Sequence, residues 1–270
     1  MVASALFEQL QRCWGYYRNG LIGDLSLALP AAHALFHDEV RSLSTLEASN
    51  ATVELAMLDV LTGMVTAPNV DEVASVADDL AEMVYDESAR CDDLHKLAAL
   101  SCSVHAAMRL GRLPLAQGRF RATLKRAKEL AAAGGGGVGM AEMGVILGCA
   151  GLYLAQAAAT AYEEEMTTQL LDQSDQAAAE LALEAEILGQ YFGPDHVRAT
   201  RCICLARLEK SQEALDAGRA VNIDHLIPLM GGTVLRVLAD MADNMGESAE
   251  AGAYRARADA LVPPLDRQFG

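Results

Sequence analysis

Three short segments carry histidines and cysteines at spacings that could bind a metal ion or support catalysis. In YFGPDHVRATRCICLARLEKSQEALDAGRAV, residues 191–221, His196 precedes Cys202 and Cys204 by about two helical turns. On a helix the two cysteines point about 200° apart, so they cannot bind one zinc ion together without unwinding the helix. The segment therefore predicts a helix with two differently used faces.

One face of this helix is apolar and the other is polar. Cys204 shares a stripe with Val197 and Leu208, which predicts a small residue packed in the core. The other face could contact a ligand; it carries His196, Thr200, Ile203 and Arg207.

Two further pairs have the spacing of metal ligands. His33 and His37 are one helical turn apart, with Asp38 beside them, and Cys91 and His95 have the same separation. Neither pair has an identifiable third ligand, although structural zinc sites use four. We therefore expect surface or half-buried histidines, and no metal site or cofactor is predicted.

Motifs of nucleotide-binding and hydrolytic enzymes do not occur in a suitable context. AAAGGGGVGMAEMG, residues 131–144, contains G-x-G-x-x-G, but a helical pattern precedes it instead of a strand, and no Gly-Lys-Ser/Thr follows. There is no G-x-S-x-G, and the acidic run Tyr162–Glu165 is typical of a solvated helix end. We interpret residues 134–139 as a flexible connection, and no catalytic residue is predicted.

Composition narrows the classes of protein further. The chain has 270 residues, is 52% hydrophobic, and carries 21 Lys+Arg against 37 Asp+Glu, for a net charge of −16. Such a charge repels nucleic acid, and the basic run at residues 119–128 spreads its cations around a helix axis. With no signal-like N-terminus, no long uncharged apolar run and six unpatterned cysteines, we expect a cytoplasmic protein with reduced thiols that does not enter a membrane.

The elements that must position these side chains are helices. Apolar residues recur at helical spacing, and short Gly, Pro and Asn segments interrupt them. The pattern predicts an all-α fold with about twelve helices in six hairpins, forming one domain over residues 1–270.

The hairpins resemble one another. Residues 97–130 and 234–264 share small residues and leucines, then a glycine at the turn, Gly111 or Gly246, then an alanine five residues on. This pattern is typical of tetratricopeptide repeats, in which small residues let paired helices approach closely. Lys210 stands where the fifth pair would have its glycine. We expect a right-handed superhelix of about six degenerate repeats of this type.

The order of elements also resembles the tetratricopeptide regulatory region that follows the Xre-type helix-turn-helix domain in many actinobacterial transcriptional regulators. That family often carries F-G-P-x-N-V-x-x-H and then E-A-L; here Phe192–Pro194, Val197 and Glu213–Leu215 match. His196 replaces the usual Asn, and Thr200 the usual His. Because no helix-turn-helix segment precedes residue 1, we expect either a truncated regulator or a stand-alone sensor or adaptor.

The resemblance implies a ligand-responsive binding module without catalysis of its own. The first helices of the pairs would line a concave groove that holds a peptide or an elongated small molecule. Candidate lining residues are polar or aromatic positions on first helices: Trp14, Tyr17, Arg18, His105, Arg109, Tyr153, Gln156, His196 and Thr200.

Two alternatives to a sensor stay open at this point. The chain could be a protein-protein adaptor that pairs with a regulator or with itself as a homodimer, or an all-α enzyme of specialised metabolism. A closed pocket with a perturbed titratable group would favour the enzyme, and an open groove of amide-bonding side chains would favour the sensor.

Overall fold

The computed structural model describes residues 5–66, 78–80, 82, 91–134, 138–181 and 184–264. Within them, eleven α-helices have defined bounds: α1 (Ala5–Arg18), α2 (Ile22–Glu39), α3 (Thr45–Thr66), α4 (Asp93–Arg109), α5 (Leu113–Ala132), α6 (Met140–Thr160), α7 (Glu164–Leu181), α8 (Pro194–Arg207), α9 (Ser211–Arg219), α10 (Pro228–Asn244) and α11 (Ser248–Leu261). Short 3-10 turns follow α2 (Val40–Ser42) and precede α10 (Ile223–His225).

The predicted all-α class is confirmed, and the described residues add one short β-hairpin to the helices. β1 (Ala185–Ile187) and β2 (Gln190–Phe192) form an antiparallel hairpin. Leu188 and Gly189 connect them with φ values of 47° and 73°, the backbone of a tight hairpin turn. Three residues per strand are too few for a period-two pattern to stand out in the sequence.

The turns inside the helix pairs repeat one geometry. Gly20, Gly111 and Gly246 adopt φ of 67°, 65° and 81°, directly after the first helix of each pair. In each, the next amide donates back to a carbonyl five residues earlier, as from Arg112 to Ala107 at 3.1 Å. This is the hydrogen bond of a Schellman helix end. The predicted roles of Gly111 and Gly246 at turns are confirmed.

Two pairs make the same turn without glycine. Tyr162 has φ of 59° between α6 and α7, and Glu209 has φ of 61° between α8 and α9. The prediction that Lys210 replaces the turn glycine is therefore wrong by one residue. The same backward hydrogen bond forms from Glu163 and from Lys210, so the helix ends impose the turn even where a side chain makes it less favourable.

First helices pack on first helices along the chain. α1 contacts α3, α3 contacts α4, and the order continues through α6, α8 and α10, while α1 also contacts α10. The second helices α2, α5, α7, α9 and α11 each pack on the first helix of their own pair. The glycine-rich segment connects α5 to α6, and residues 135–137 lie outside the described residues.

Helix α6 is the most apolar element. By length and hydropathy it would be able to cross a membrane, but 78% of its apolar window is buried inside the protein. It contacts α4, α5, α7, α8 and both strands. This burial is typical of a central core helix, and Gly148 lets α6 approach Phe192, because a Cβ there would lie 2.5 Å from the ring.

Candidate functional site

The β-hairpin packs against α6, α4 and α8 and meets Trp14 of α1, where the sequence predicts a continuous groove. Gly189 touches the ring of Trp14, since a Cβ at Gly189 would come within 2.3 Å of it. Gln190 is 1% exposed and accepts a hydrogen bond from Ser101 on α4 at 2.6 Å. Trp14 is consequently a buried core residue at the hairpin tip.

Arg18 and Tyr17 also meet groups of the protein itself. Arg18 pairs with Glu186 of β1 at 2.7 Å. Tyr17 is buried, packs edge-on against Trp14 at 6.2 Å, and burial raises the pKa of its hydroxyl. The structure thus places the three candidates from α1 together, against the hairpin and the adjoining core.

Five side chains are linked to one another by hydrogen bonds, and we name them the closed network: Trp14, Asn50, Glu54, Asp92 and His95. Trp14 donates to Glu54 at 2.8 Å, and Glu54 also binds Nε2 of His95 at 3.2 Å. Asp92 binds Nδ1 of His95 at 2.8 Å and accepts from Asn50 at 2.8 Å. Burial alone would lower the pKa of His95, but the hydrogen bonds to Glu54 and Asp92 raise it.

A second set of polar residues lies on α4, α6 and α8, and we name it the inner polar cluster: His105, Arg109, Tyr153, Gln156, His196, Thr200 and Arg207. His105 stacks on Tyr153, with ring centroids 4.1 Å apart and planes 4° from parallel. The imidazole is partly exposed, yet its Nδ1 is buried without a hydrogen-bond partner in the described residues. Burial, and then Arg109, Arg207 and His196, lower the pKa of His105 to about 3.

His196 and Thr200 lie one turn apart on α8, and His196 is close enough to His105 to affect its pKa. They are 6% and 0% exposed, and neither Nδ1 of His196 nor Oγ1 of Thr200 has a partner among the described residues. Burial lowers the pKa of His196 to about 4, although a hydrogen bond to the backbone of Tyr191 acts in the opposite direction. His196 is therefore a neutral imidazole at physiological pH.

Two arginines complete the inner polar cluster at the ends of their helices. Arg207 donates from Nη1 to the backbone carbonyl of Gln156 at 3.1 Å, and Arg109 donates from Nη2 to the carbonyl of Met64 at 3.3 Å. Burial, and then repulsion from Arg109, lower the pKa of Arg207. The sequence predicts Arg207 on the polar face of α8, although Arg207 is not among the residues predicted to line the groove.

Unpartnered atoms are concentrated here. Six buried side-chain atoms lack a hydrogen-bond partner in the described part of the chain, and three belong to the inner polar cluster: Thr62 Oγ1, His105 Nδ1, Arg126 Nε, Glu184 Oε2, His196 Nδ1 and Thr200 Oγ1. Native proteins contain few such atoms, and each costs about 1–3 kcal/mol when left unsatisfied.

Two of the histidines considered as metal ligands have other partners. His33 binds Asp59 at 3.1 Å, and His95 belongs to the closed network. Over the described ranges, no three side chains of the kind that bind metals come together. Cys204 is fully buried, which confirms its predicted place in the core.

The surface clefts are weaker candidates for a binding site. A cleft of about 330 Å³ lies where α1 and α2 meet α10 and the chain after α11, and apolar residues line most of it. Its Arg236 already donates to the carbonyl of Val262. The unsatisfied groups of the inner polar cluster make it the stronger candidate.

Sequence reasoning missed the closed network almost entirely. His95 was considered only beside Cys91, and Glu54 was not considered. The single acid in the apolar run VELAML of α3, Glu54, was the available signal, since a buried carboxylate requires donors. No family model, curated protein or solved structure matches this chain.

Proposed function

We propose that this chain is a ligand-responsive binding module of a transcriptional regulator, built as a right-handed, tetratricopeptide-like superhelix with its site on the concave side. Support comes from the contact order of the first helices, from the turn geometry that recurs in five pairs, and from the sequence resemblance. The concave side would then be formed by α1, α3, α4, α6, α8 and α10.

One observation carries the proposal: the unpartnered buried atoms of His105, His196 and Thr200. Leaving three such atoms without partners would destabilise the protein by several kcal/mol, at about 1–3 kcal/mol each. A ligand that supplied a donor to the imidazoles and a partner to the hydroxyl would remove that cost. Its binding would be coupled to stabilisation of α4, α6 and α8, which is what a sensor requires.

The same groups are poorly suited to catalysis. A general base works best with a pKa near the operating pH, whereas His105 and His196 have pKa values of about 3 and 4. Burial raises the pKa of the nearby Cys149 thiol to about 11, which disfavours a thiolate nucleophile. The titratable groups are perturbed, as the enzyme alternative requires, but in the direction that keeps them neutral.

The hairpin favours a small ligand over a long peptide. It packs against α1 and α4 through Trp14, Ser101 and Arg18. A peptide running along all first helices would have to displace it. We therefore place a small molecule at the inner polar cluster.

Mass spectrometry of the chain purified from its source tests this function. Native spectra should show a small-molecule excess that denaturation removes, and Thr200→Val should reduce the bound fraction. Thr123→Val is the matched control, because Thr123 is equally buried but its hydroxyl already donates to the carbonyl of Arg119 at 2.9 Å. No retained molecule, together with no shift in Tm in a small-molecule extract of the source, would contradict the proposal.

The regulator would need another segment or partner to read DNA. With a net charge of −16, this chain alone should show no sequence-specific retention of duplex DNA at physiological salt. A gel shift with competitor DNA checks this, and specific retention would overturn it.

A further inference from the structure

Arg109 and Arg207 differ from most arginines of this chain. Most pair with a carboxylate in the described residues, as Arg18 does with Glu186 and Arg201 with Asp172. Arg109 and Arg207 have no carboxylate partner there, although acidic residues outnumber basic ones by 37 to 21 in the chain. Arg207 is half-buried, and a half-buried cation without a counterion is unfavourable, so its lack of a carboxylate partner in the described residues requires an explanation.

The two cations converge on one place. Arg109 follows His105 by one turn of α4, and Arg207 follows Thr200 by two turns of α8. Nη1 of Arg207 lies 3.8 Å from the sulfur of Met108, the residue before Arg109, and both arginines lower the pKa of His105. Arg109 is exposed and Arg207 is half-buried, whereas Thr200 is fully buried.

Both guanidinium groups have donors to spare. Within the described chain, Arg109 uses only Nη2, toward the carbonyl of Met64, and Arg207 uses only Nη1, toward the carbonyl of Gln156 and the sulfur of Met108. A guanidinium has five N–H donors in a planar fork, which matches the two oxygens of a carboxylate or phosphate. A cation in the last turn of a helix is stabilised by the helix dipole, but that interaction does not require the planar set of donors.

We infer that the site takes a small organic oxyanion, a carboxylate or a phosphate monoester, whose charged group binds Arg109 and Arg207 while its polar remainder reaches His196 and Thr200. This inference rests on the proposed function. The neutral imidazoles of His105 and His196 add no charge, so the two arginines supply the positive field. The buried Thr200 hydroxyl and His196 Nδ1 would then bond a hydroxyl or amine of the same molecule.

Three probes of similar size test the charge requirement: benzoate, phenyl phosphate and neutral benzamide. The purified chain should show a rise in Tm with benzoate or phenyl phosphate at millimolar concentration, and at least about tenfold weaker binding of benzamide. A preference between the first two identifies the oxyanion. No response to either, or equal binding of benzamide, overturns the inference.

Variants test the residues. Arg109→Gln and Arg207→Gln should each weaken the preferred oxyanion by about tenfold or more, because a charge-assisted bond is lost. Arg121→Gln is the control, since Arg121 is exposed on α5 and has no ion pair in the described residues. Arg207→Gln should leave the Tm of the ligand-free chain unchanged or higher; unchanged oxyanion affinity in both test variants would overturn the assignment.

The molecule retained in native mass spectra separates this inference from the proposed function. A retained anion that Arg207→Gln loses supports both. A retained neutral or cationic molecule would leave the binding function standing and overturn the oxyanion class. Loss of the retained molecule with Arg121→Gln as well would contradict a specific role of Arg109 and Arg207.

Discussion

His95 and His105 lie on the same helix, α4, but their ring nitrogens have opposite environments. Both nitrogens of His95 meet carboxylates, Glu54 and Asp92, within 3.2 Å. Nδ1 of His105 is buried without a partner, and the charges near the ring are Arg109 and Arg207. The polar groups of the closed network are therefore paired with one another, whereas three buried atoms of the inner polar cluster have no partner in the described residues.

The largest expected difference between the two sets follows removal of Glu54. Glu54→Ala leaves the indole N–H of Trp14 and Nε2 of His95 buried without partners, so it should lower the free energy of unfolding by about 3–4 kcal/mol. Urea denaturation measures it. Glu54→Gln keeps one oxygen acceptor and should lose less than half as much. A loss below about 1 kcal/mol for Glu54→Ala would show that the network is not closed in solution.

The second difference concerns how much the free energy of unfolding decreases as pH falls from 7 to 4. The pKa of His196 falls from an unfolded value near 6.5 to about 4, so its contribution is present above pH 6.5 and is lost as pH falls toward 4. His196→Gln removes this proton uptake. Relative to pH 7, the variant should lose about 2–3 kcal/mol less than the original chain by pH 4. Parallel curves for the two proteins would mean that the imidazole is not buried in its neutral form.

The third difference concerns His95, whose contribution to stability changes with pH in the opposite direction to that of His196. Because the pKa of His95 is raised by Glu54 and Asp92, its contribution is complete below pH 6.5 and is lost as pH rises through the folded-state pKa. His95→Gln should flatten that alkaline decline and leave the decrease toward pH 4 due to His196 in place. Unfolding curves in urea from pH 6 to 9 measure it. A steeper alkaline decline in His95→Gln would contradict the assigned ion pairs.

Local rules predicted much of the fold and less of the site. Helical periodicity and glycine at turns located α4, α5, α10 and α11, since those signals depend on neighbouring residues. The same rules cannot show that β2 lies on α6, because that contact joins Gly148 to Phe192, which are far apart in the sequence. Whether a buried polar group finds a hydrogen-bond partner also depends on distant parts of the sequence, since Glu54 and His95 are 41 residues apart.

The types of the side chains indicated which face of a helix is polar, but not which groups those side chains contact. His196 and Thr200 were expected on one polar face of α8, and the structure puts them there in buried surroundings. Trp14 was expected in an open groove, but it packs at the hairpin tip instead. The difference lies in the hairpin, whose two three-residue strands leave almost no pattern in the sequence.

The smallest expected effect compares two equally buried threonines. Thr123 donates its hydroxyl to the carbonyl of Arg119, so Thr123→Val should lose about 1 kcal/mol of stability. The hydroxyl of Thr200 has no partner in the described residues, so Thr200→Val, which has nearly the same shape, should be neutral or stabilising by up to about 1 kcal/mol. Thermal and urea unfolding of the ligand-free variants measure both values. If Thr200→Val destabilises as much as Thr123→Val, the Thr200 hydroxyl already has a partner within the protein. If it stabilises while binding is lost, the unsatisfied hydroxyl has been retained for the ligand at the expense of stability.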